Sequence, residues 1–297
     1  MSNVFDRLQD QINRMQNPTV LGLDPKLDYI PAFIQSDLEK EGYSGETLIE
    51  EMLFRFNQGL IDATYDIIPA VKPQLAYYEL YAEAGMKALY RTIAYARDKG
   101  MIVIADGKRN DIGSTSDAYA KAWLGRADLL TVNAYLGSDG ILPFVEQAVA
   151  VDAGVFALVR TSNPSAAEFQ DLTLADGRKL YEAVADQVEL WNANHYGKAG
   201  FGPVGSVVGA TWPEQARALR ERMPHSFFLV PGYGAQGATA EDCAANFNER
   251  GEGAIVNSSR GLMLAYKKSE IYGESEYAQA CRDEAIAMRE ALKAALN

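Results

Sequence analysis

The sequence predicts an α/β protein built as a single (β/α)8 TIM barrel with parallel strands. Three observations lead there. Eight short apolar runs rich in β-branched residues alternate with helical patterns along the whole chain. Those runs are apolar almost throughout instead of alternating apolar with polar, as strands covered on both faces must be. No linker, low-complexity tract or short repeat interrupts the 297 residues, a length that one closed barrel accounts for. An open doubly wound sheet is the runner-up architecture.

The elements follow in order. "MSNVFDRLQDQINRMQ" is amphipathic and charged with no apolar h-region, so residues 3–16 read as a helix and not as a secretory signal. The first strand is "TVLGLD" (19–24), and a long connection, 25–45, separates it from the helical pattern of 46–65. "IIPAVK" (67–72) is the second strand and 85–100 the next helix, closed by a Lys-Gly pair that suits a helix C-terminus. Strands three to five are "MIVIAD" (101–106), "DLLTVN" (128–133) and "VFALVR" (155–160). A second long connection, 161–176, precedes a helix over 177–195. Strands six to eight are "GSVVGA" (205–210), "SFFLVP" (226–231) and "GAIVNS" (253–258), with the helical stretches "TWPEQARALRERMP" and "TAEDCAANFNERG" on either side of strand seven. A terminal helix at 276–296 completes one domain, 1–297. Connections as long as 25–45 and 161–176 often cover a site.

Forty acidic residues against 28 basic give a net charge of −12. That argues against non-specific binding to nucleic acid or an acidic membrane, but leaves room for an anionic small substrate held by local basic residues. There is no run of about 18 apolar residues, so no membrane span is expected. Cys243 and Cys281 are too few for a disulfide framework and read as reduced thiols of a cytoplasmic protein. His195 and His225 have no Cys or His at ligand spacing, and no metal site is predicted.

In such a barrel, chemistry gathers at the C-terminal ends of the strands. Strand one ends in Asp24, strand two in Lys72 and strand three in Asp106, with Lys108 just beyond. Strand five leads into Thr161, Ser162 and Asn163, and strand eight into Asn257, Ser258, Ser259 and Arg260. An extended backbone points Asp106 and Lys108 to the same side. Asp111 cannot follow that direction, and capping the next helix is one reading of it. Alternating charge is the cheapest way to place ionic groups at a barrel rim, so a structural ion pair is the bland reading of Asp106 and Lys108. Carboxylates around Lys108 favour its cationic form, which suits a proton donor and not a Schiff-base nucleophile. "PGYGAQG" (231–237) brings flexible glycine backbone toward an oxyanion, and Arg260 would grip phosphate in a bidentate fork. Gly232, Gly234 and Gly237 also spell the dinucleotide fingerprint, but Glu252, the nearest acidic candidate, precedes the next strand, and too little chain remains for a dinucleotide-binding half.

With these residues in place, the chain resembles orotidine 5′-phosphate decarboxylase in its longer bacterial form, from about residue 18 to 265. The likeness rests on "LGLDP" (21–25), "VKPQLAYYE" (71–79), "DGKRNDIGSTSDAYA" (106–120), "TVNAYLG" (131–137), "RTSNP" (160–164), "VVGAT" (207–211), "VPGYGAQG" (230–237) and "VNSSRG" (256–261). Ala134 stands where the family pattern has proline, which bears on loop shape. The resemblance implies decarboxylation of orotidine 5′-monophosphate to uridine 5′-monophosphate, with no metal or organic cofactor, by a homodimer of barrels. It implies a catalytic array of Lys72, Asp106, Lys108 and Asp111, the last reaching with Thr115 into the neighbouring subunit's site. Asp24 and Lys72 would hold ribose hydroxyls, Ser162 the pyrimidine edge, and Gln236, Gly237 and Arg260 the phosphate. Asn133 receives no role. The alternatives are a metal-assisted sugar-phosphate decarboxylase or isomerase of the same superfamily, a Schiff-base aldolase, and a non-catalytic phosphate-ligand binding protein.

Overall fold

Eight parallel strands close on themselves in chain order: β1 (Thr19–Leu23), β2 (Ala70–Pro73), β3 (Ile102–Arg109), β4 (Leu129–Val132), β5 (Gly154–Arg160), β6 (Val204–Val208), β7 (Phe228–Val230) and β8 (Ala254–Ser258). The ring shuts where Val20 of β1 faces Asn257 of β8. This is a computed structural model, and it describes residues 2–234 and 237–297. Each strand overlaps the apolar run that predicts it. β2 starts later than its run because Ile67 and Ile68 donate their N–H groups back to Thr64 and finish the preceding helix. β3 runs on past Asp106 to Arg109.

Apolar residues on both strand faces have two destinations. Val20, Ile102, Leu129 and Phe156 point inward and fill the barrel, while their neighbours Leu21, Val103, Leu130 and Ala157 pack outward on the helices. A strand with a core on each side has no solvent face, which is why polar residues are few within it and charged ones gather toward its C-terminal end.

The helices are α1 (Val4–Met15), α2 (Ala32–Lys40), α3 (Gly45–Thr64), α4 (Ala76–Glu79), α5 (Ala82–Asp98), α6 (Gly113–Trp123), α7 (Ser138–Val151), α8 (Leu180–Asn192), α9 (Pro213–Arg222), α10 (Ala240–Ala244), α11 (Arg260–Met263), α12 (Ala265–Lys268) and α13 (Tyr277–Leu296). α10 stops well short of 251, since Asn246 and Phe247 turn away in 3₁₀ fashion onto Cys243 and Ala244. The connection 25–45 carries α2 and a 3₁₀ turn at Leu27–Tyr29.

α1 closes the barrel end opposite the C-terminal ends of the strands. Its apolar stripe, Val4, Phe5, Leu8 and Ile12, belongs to the interior cluster, and Phe5 stacks on Phe227 and meets Phe156 edge-on, at centroid distances of 5.2 and 5.3 Å. Asn3 and Asp6 form a capping box at the start of this helix. Asp6 also accepts from the N–H groups of Lys198 and Ala199, at 2.9 and 2.7 Å, tying α1 to the loop before β6. Burial would raise the Asp6 carboxyl, but these N–H donors outweigh it and hold the group below the usual carboxylate range.

Candidate active site

The strand ends surround a cavity of about 660 Å³, a size suited to a small organic ligand. At its floor lies Asp106, 5 % exposed, with every donor around it convergent. Oδ2 accepts from Lys72 Nζ at 2.8 Å and from Gln74 Nε2 at 3.0 Å. Oδ1 accepts from Lys108 Nζ at 2.7 Å and from Thr131 Oγ1 at 2.8 Å. Each oxygen thus carries one ammonium and one neutral donor. Burial pushes the Asp106 carboxyl up, but Lys72 and Lys108 overcome it and hold the group far below the ordinary range. Burial likewise opposes the charge on Lys72, and the carboxylates of Asp106 and Asp24 reverse this and raise it.

Asp106 and Lys108 do meet, but not by the regular extended geometry that the sequence suggests. Ala105 pairs with Leu130 and Arg109 with Val132, so the pairing of β3 and β4 slips between them. Lys108 sits at φ +45°, the left-handed region that a residue with a Cβ enters at a cost of about 1–2 kcal/mol. The Lys108 N–H is donated to Thr131 Oγ1 at 2.9 Å. The bulge folds the lysine back over the carboxylate two residues before it.

Other strand-end residues complete the wall. Asp24, Ser162 and Arg260 line the cavity with Thr161, Asn163 and Asn257. Asp24 Oδ1 is buried with no hydrogen-bond partner among the described residues, so the site presents an acceptor where a ligand hydroxyl would fit. In the loop after β7, Gly232, Gly234 and Gly237 have φ of +116°, +66° and +95°, values that favour glycine. Gly232 lines the cavity, whereas the N–H groups of Gly234 and Gly237 bond within the loop, to Ala238 and Gly234. Gly237 is not among the lining residues, and Gln236 lies outside the described residues.

Asp111 and Thr115 do not line this cavity. Asp111 does not cap α6 either: Ile112 occupies the N-cap, and the Asp111 carboxylate accepts the Ile112 N–H, at 2.8 Å. Thr115 is exposed on the first turns of α6. Asn133 caps the 3₁₀ turn after β4 by accepting from Tyr135 N–H at 3.0 Å.

Comparison with known proteins places this geometry. The family model described as "Orotidine 5'-phosphate decarboxylase / HUMPS family" matches residues 55–274. The chain belongs to this family. A relative named orotidine 5′-phosphate decarboxylase in Rhodopirellula baltica is 43% identical, over 99% of this chain and 100% of that protein. One of the same name in Clostridium perfringens is 39% identical over 99% of each. Among solved structures, a putative orotidine 5′-phosphate decarboxylase from Streptomyces avermitilis superposes with a TM-score of 0.80 at 30% identity, covering 100% of this chain and 96% of that one. The Leishmania donovani OMP decarboxylase gives 0.73 at 31%, covering 97% and 99%.

Several wall residues escape sequence reasoning. Gln74, just past β2, and Thr131 of β4 reach Asp106; Gln74 stands in the quoted "VKPQLAYYE", two after Lys72, where the same-side rule applies equally. Lys26 lies over the rings of Tyr29 and Tyr77, at 5.4 and 5.6 Å, on the same wall. Arg160, at the end of β5, is fully buried. It donates to Gln215 at 2.6 Å and to Gln170 and Asp171 at 3.2 Å, and packs on Trp212. Gln170 in turn takes the Thr161 N–H at 2.9 Å, so this arginine pins the 161–176 connection beside Ser162.

Proposed function

We propose that the protein decarboxylates orotidine 5′-monophosphate to uridine 5′-monophosphate and CO₂, the last step of de novo pyrimidine synthesis, without a metal or organic cofactor. The observation that carries this reading is the Lys72–Asp106–Lys108 array at the floor of one cavity, with Ser162 and Arg260 in its wall. The bond from C6 of the pyrimidine to its carboxylate breaks, the electron pair stays on C6, and CO₂ leaves. The Lys108 ammonium stabilises the developing charge and delivers its proton to C6, and water re-protonates the amine afterwards. Asp106, fixed as an anion between two lysines, orients both of them. Asp24 and Lys72 take the ribose hydroxyls, Ser162 the pyrimidine edge, and Arg260, with Gln236 and Gly237, the phosphate. Phosphate binding far from the reacting bond supplies energy to order the 161–176 connection and exclude water. A metal-assisted reaction of the same superfamily needs carboxylates around a divalent cation. Lys72 and Lys108 both turn their ammoniums onto the carboxylate such an ion would use.

The protein acts as a homodimer in this reading. Asp111 and Thr115, turned away from their own cavity, reach the site of the neighbouring subunit. Loss of orotidylate ultraviolet absorbance tests the activity directly. Lys108→Ala is expected to bind uridine 5′-monophosphate as the wild type does while losing turnover by about 10³-fold or more. Wild-type turnover in that variant would remove Lys108 from the mechanism.

A further inference from the structure

We propose that Thr131 is the positioning residue for Lys108, an inference that rests on the reading of Lys108 as proton donor. Thr131 is 1 % exposed, and its hydroxyl uses both of its capacities around that one lysine. It accepts the Lys108 backbone N–H at 2.9 Å and donates to Asp106 Oδ1 at 2.8 Å, the oxygen that also receives Lys108 Nζ at 2.7 Å. One side-chain oxygen therefore links the main chain of Lys108 to the carboxylate that seats its ammonium.

Lys108 needs such a link at both ends. Asp106, Gly107 and Lys108 stand opposite Thr131 alone, because the strand pairing skips from Ala105–Leu130 to Arg109–Val132. With the ladder broken there, the Lys108 N–H goes to a side chain instead of a strand carbonyl. Its φ of +45° is one that lysine seldom holds unaided. The Lys108 side chain is 46% exposed, so packing does not fix its rotamer. Without the Thr131 hydroxyl, the main chain of Lys108 is free to relax toward an ordinary φ, and the ammonium leaves its place over the reacting carbon. Ligand contacts made by Asp24, Ser162 and Arg260 do not pass through Thr131, so binding survives while chemistry suffers.

The test compares Thr131→Val, which has the same shape without the hydroxyl, with Thr131→Ser and Thr131→Ala. The readouts are kcat and KM for orotidine 5′-monophosphate and Kd for uridine 5′-monophosphate. The Val and Ala variants are expected to lose about 10- to 100-fold in kcat, the scale of a misplaced reacting group, with KM and Kd nearly unchanged. Thr131→Ser, which keeps the hydroxyl, restores most of kcat. Wild-type kcat in the Val variant, a serine variant as impaired as the others, or a loss of product binding as large as the loss of kcat would each overturn the proposal. A wild-type protein without decarboxylase activity, or Lys108→Ala at full turnover, removes the proton-donor reading and this inference with it. Normal wild-type turnover with an unaffected Val variant removes the inference alone.

Discussion

At the scale of single residues, the array is a coupled electrostatic unit, and pH reports on it. Asp106 has its carboxyl depressed in the folded state. Its contribution to stability is present above the unfolded carboxyl value of about 4 and is lost as pH falls through the lower folded value. Lys72 is raised, so its contribution is complete below the unfolded lysine value of about 10.4 and fades only as pH climbs through the still higher folded one. Between those limits, from about pH 4 to 10, the pair adds no slope to the stability curve. Asp106→Asn changes this. Lys72, 5 % exposed, then loses the carboxylate 2.8 Å away, and burial pushes it toward the neutral amine. A loss of about 3–5 kcal/mol at pH 7 is expected from breaking a buried pair on one side. Stability should then rise toward pH 10, because the unfolded chain holds a proton on Lys72 that the folded variant has shed. Urea titrations of both proteins at pH 6, 7.5 and 9 decide the matter: a variant curve as flat as the wild type's contradicts the pairing.

Elements show how residues are carried into that unit. The eight strands are legible in the sequence because a strand buried on both faces is an unbroken apolar run, and Val20–Leu21 or Leu129–Leu130 need no knowledge of the fold to be read so. The irregular segments are not legible. In "DGKR" the glycine invites a left-handed position, yet it is Lys108 and not Gly107 that adopts positive φ. There the Lys108 N–H is taken by Thr131 of a different strand, a long-range contact that no local pattern encodes. Arg160 looks like one more charged strand end until the fold buries it under Gln170, Asp171 and Gln215. Gly209, within the quoted "VVGAT", has a comparable hidden reason. A Cβ there would come within 2.8–2.9 Å of the Cβ, Cα and N atoms of Ser162, so glycine lets the two loops touch. Gly209→Ala must shift the Ser162 backbone from its place in the cavity wall. It is expected to raise KM for the nucleotide by about tenfold and to cost about 1–3 kcal/mol, the usual price of overpacking. Steady-state kinetics with a urea titration check both numbers, and an unchanged KM would show that Ser162 is not set by this contact.

The whole molecule divides its labour between two ends of one barrel. α1 seals the far end with Phe5 against Phe156 and Phe227, an apolar plug that contributes rigidity, while the open end concentrates the charge. The same division leaves Asp111 and Thr115 without work in their own cavity, on a face where Ile112 is also 52% exposed. If two copies meet there, each site is built from Lys108 of one chain and Asp111 of the other, and mixing defective chains becomes informative. Lys108→Ala and Asp111→Ala are each expected to be nearly inactive alone. In a heterodimer of the two, one site carries both lesions and the other carries neither. Random reassortment of equal amounts makes half the dimers mixed, each with one intact site, so activity should recover to about a quarter of the wild-type value. A monomer, or a dimer whose sites are each complete in one chain, gives no recovery, because no reassortment can join an intact Lys108 to an intact Asp111. The readout is the orotidylate absorbance assay after co-incubation under conditions that let subunits exchange, and recovery that rises with exchange time to that plateau is the signature of a shared site.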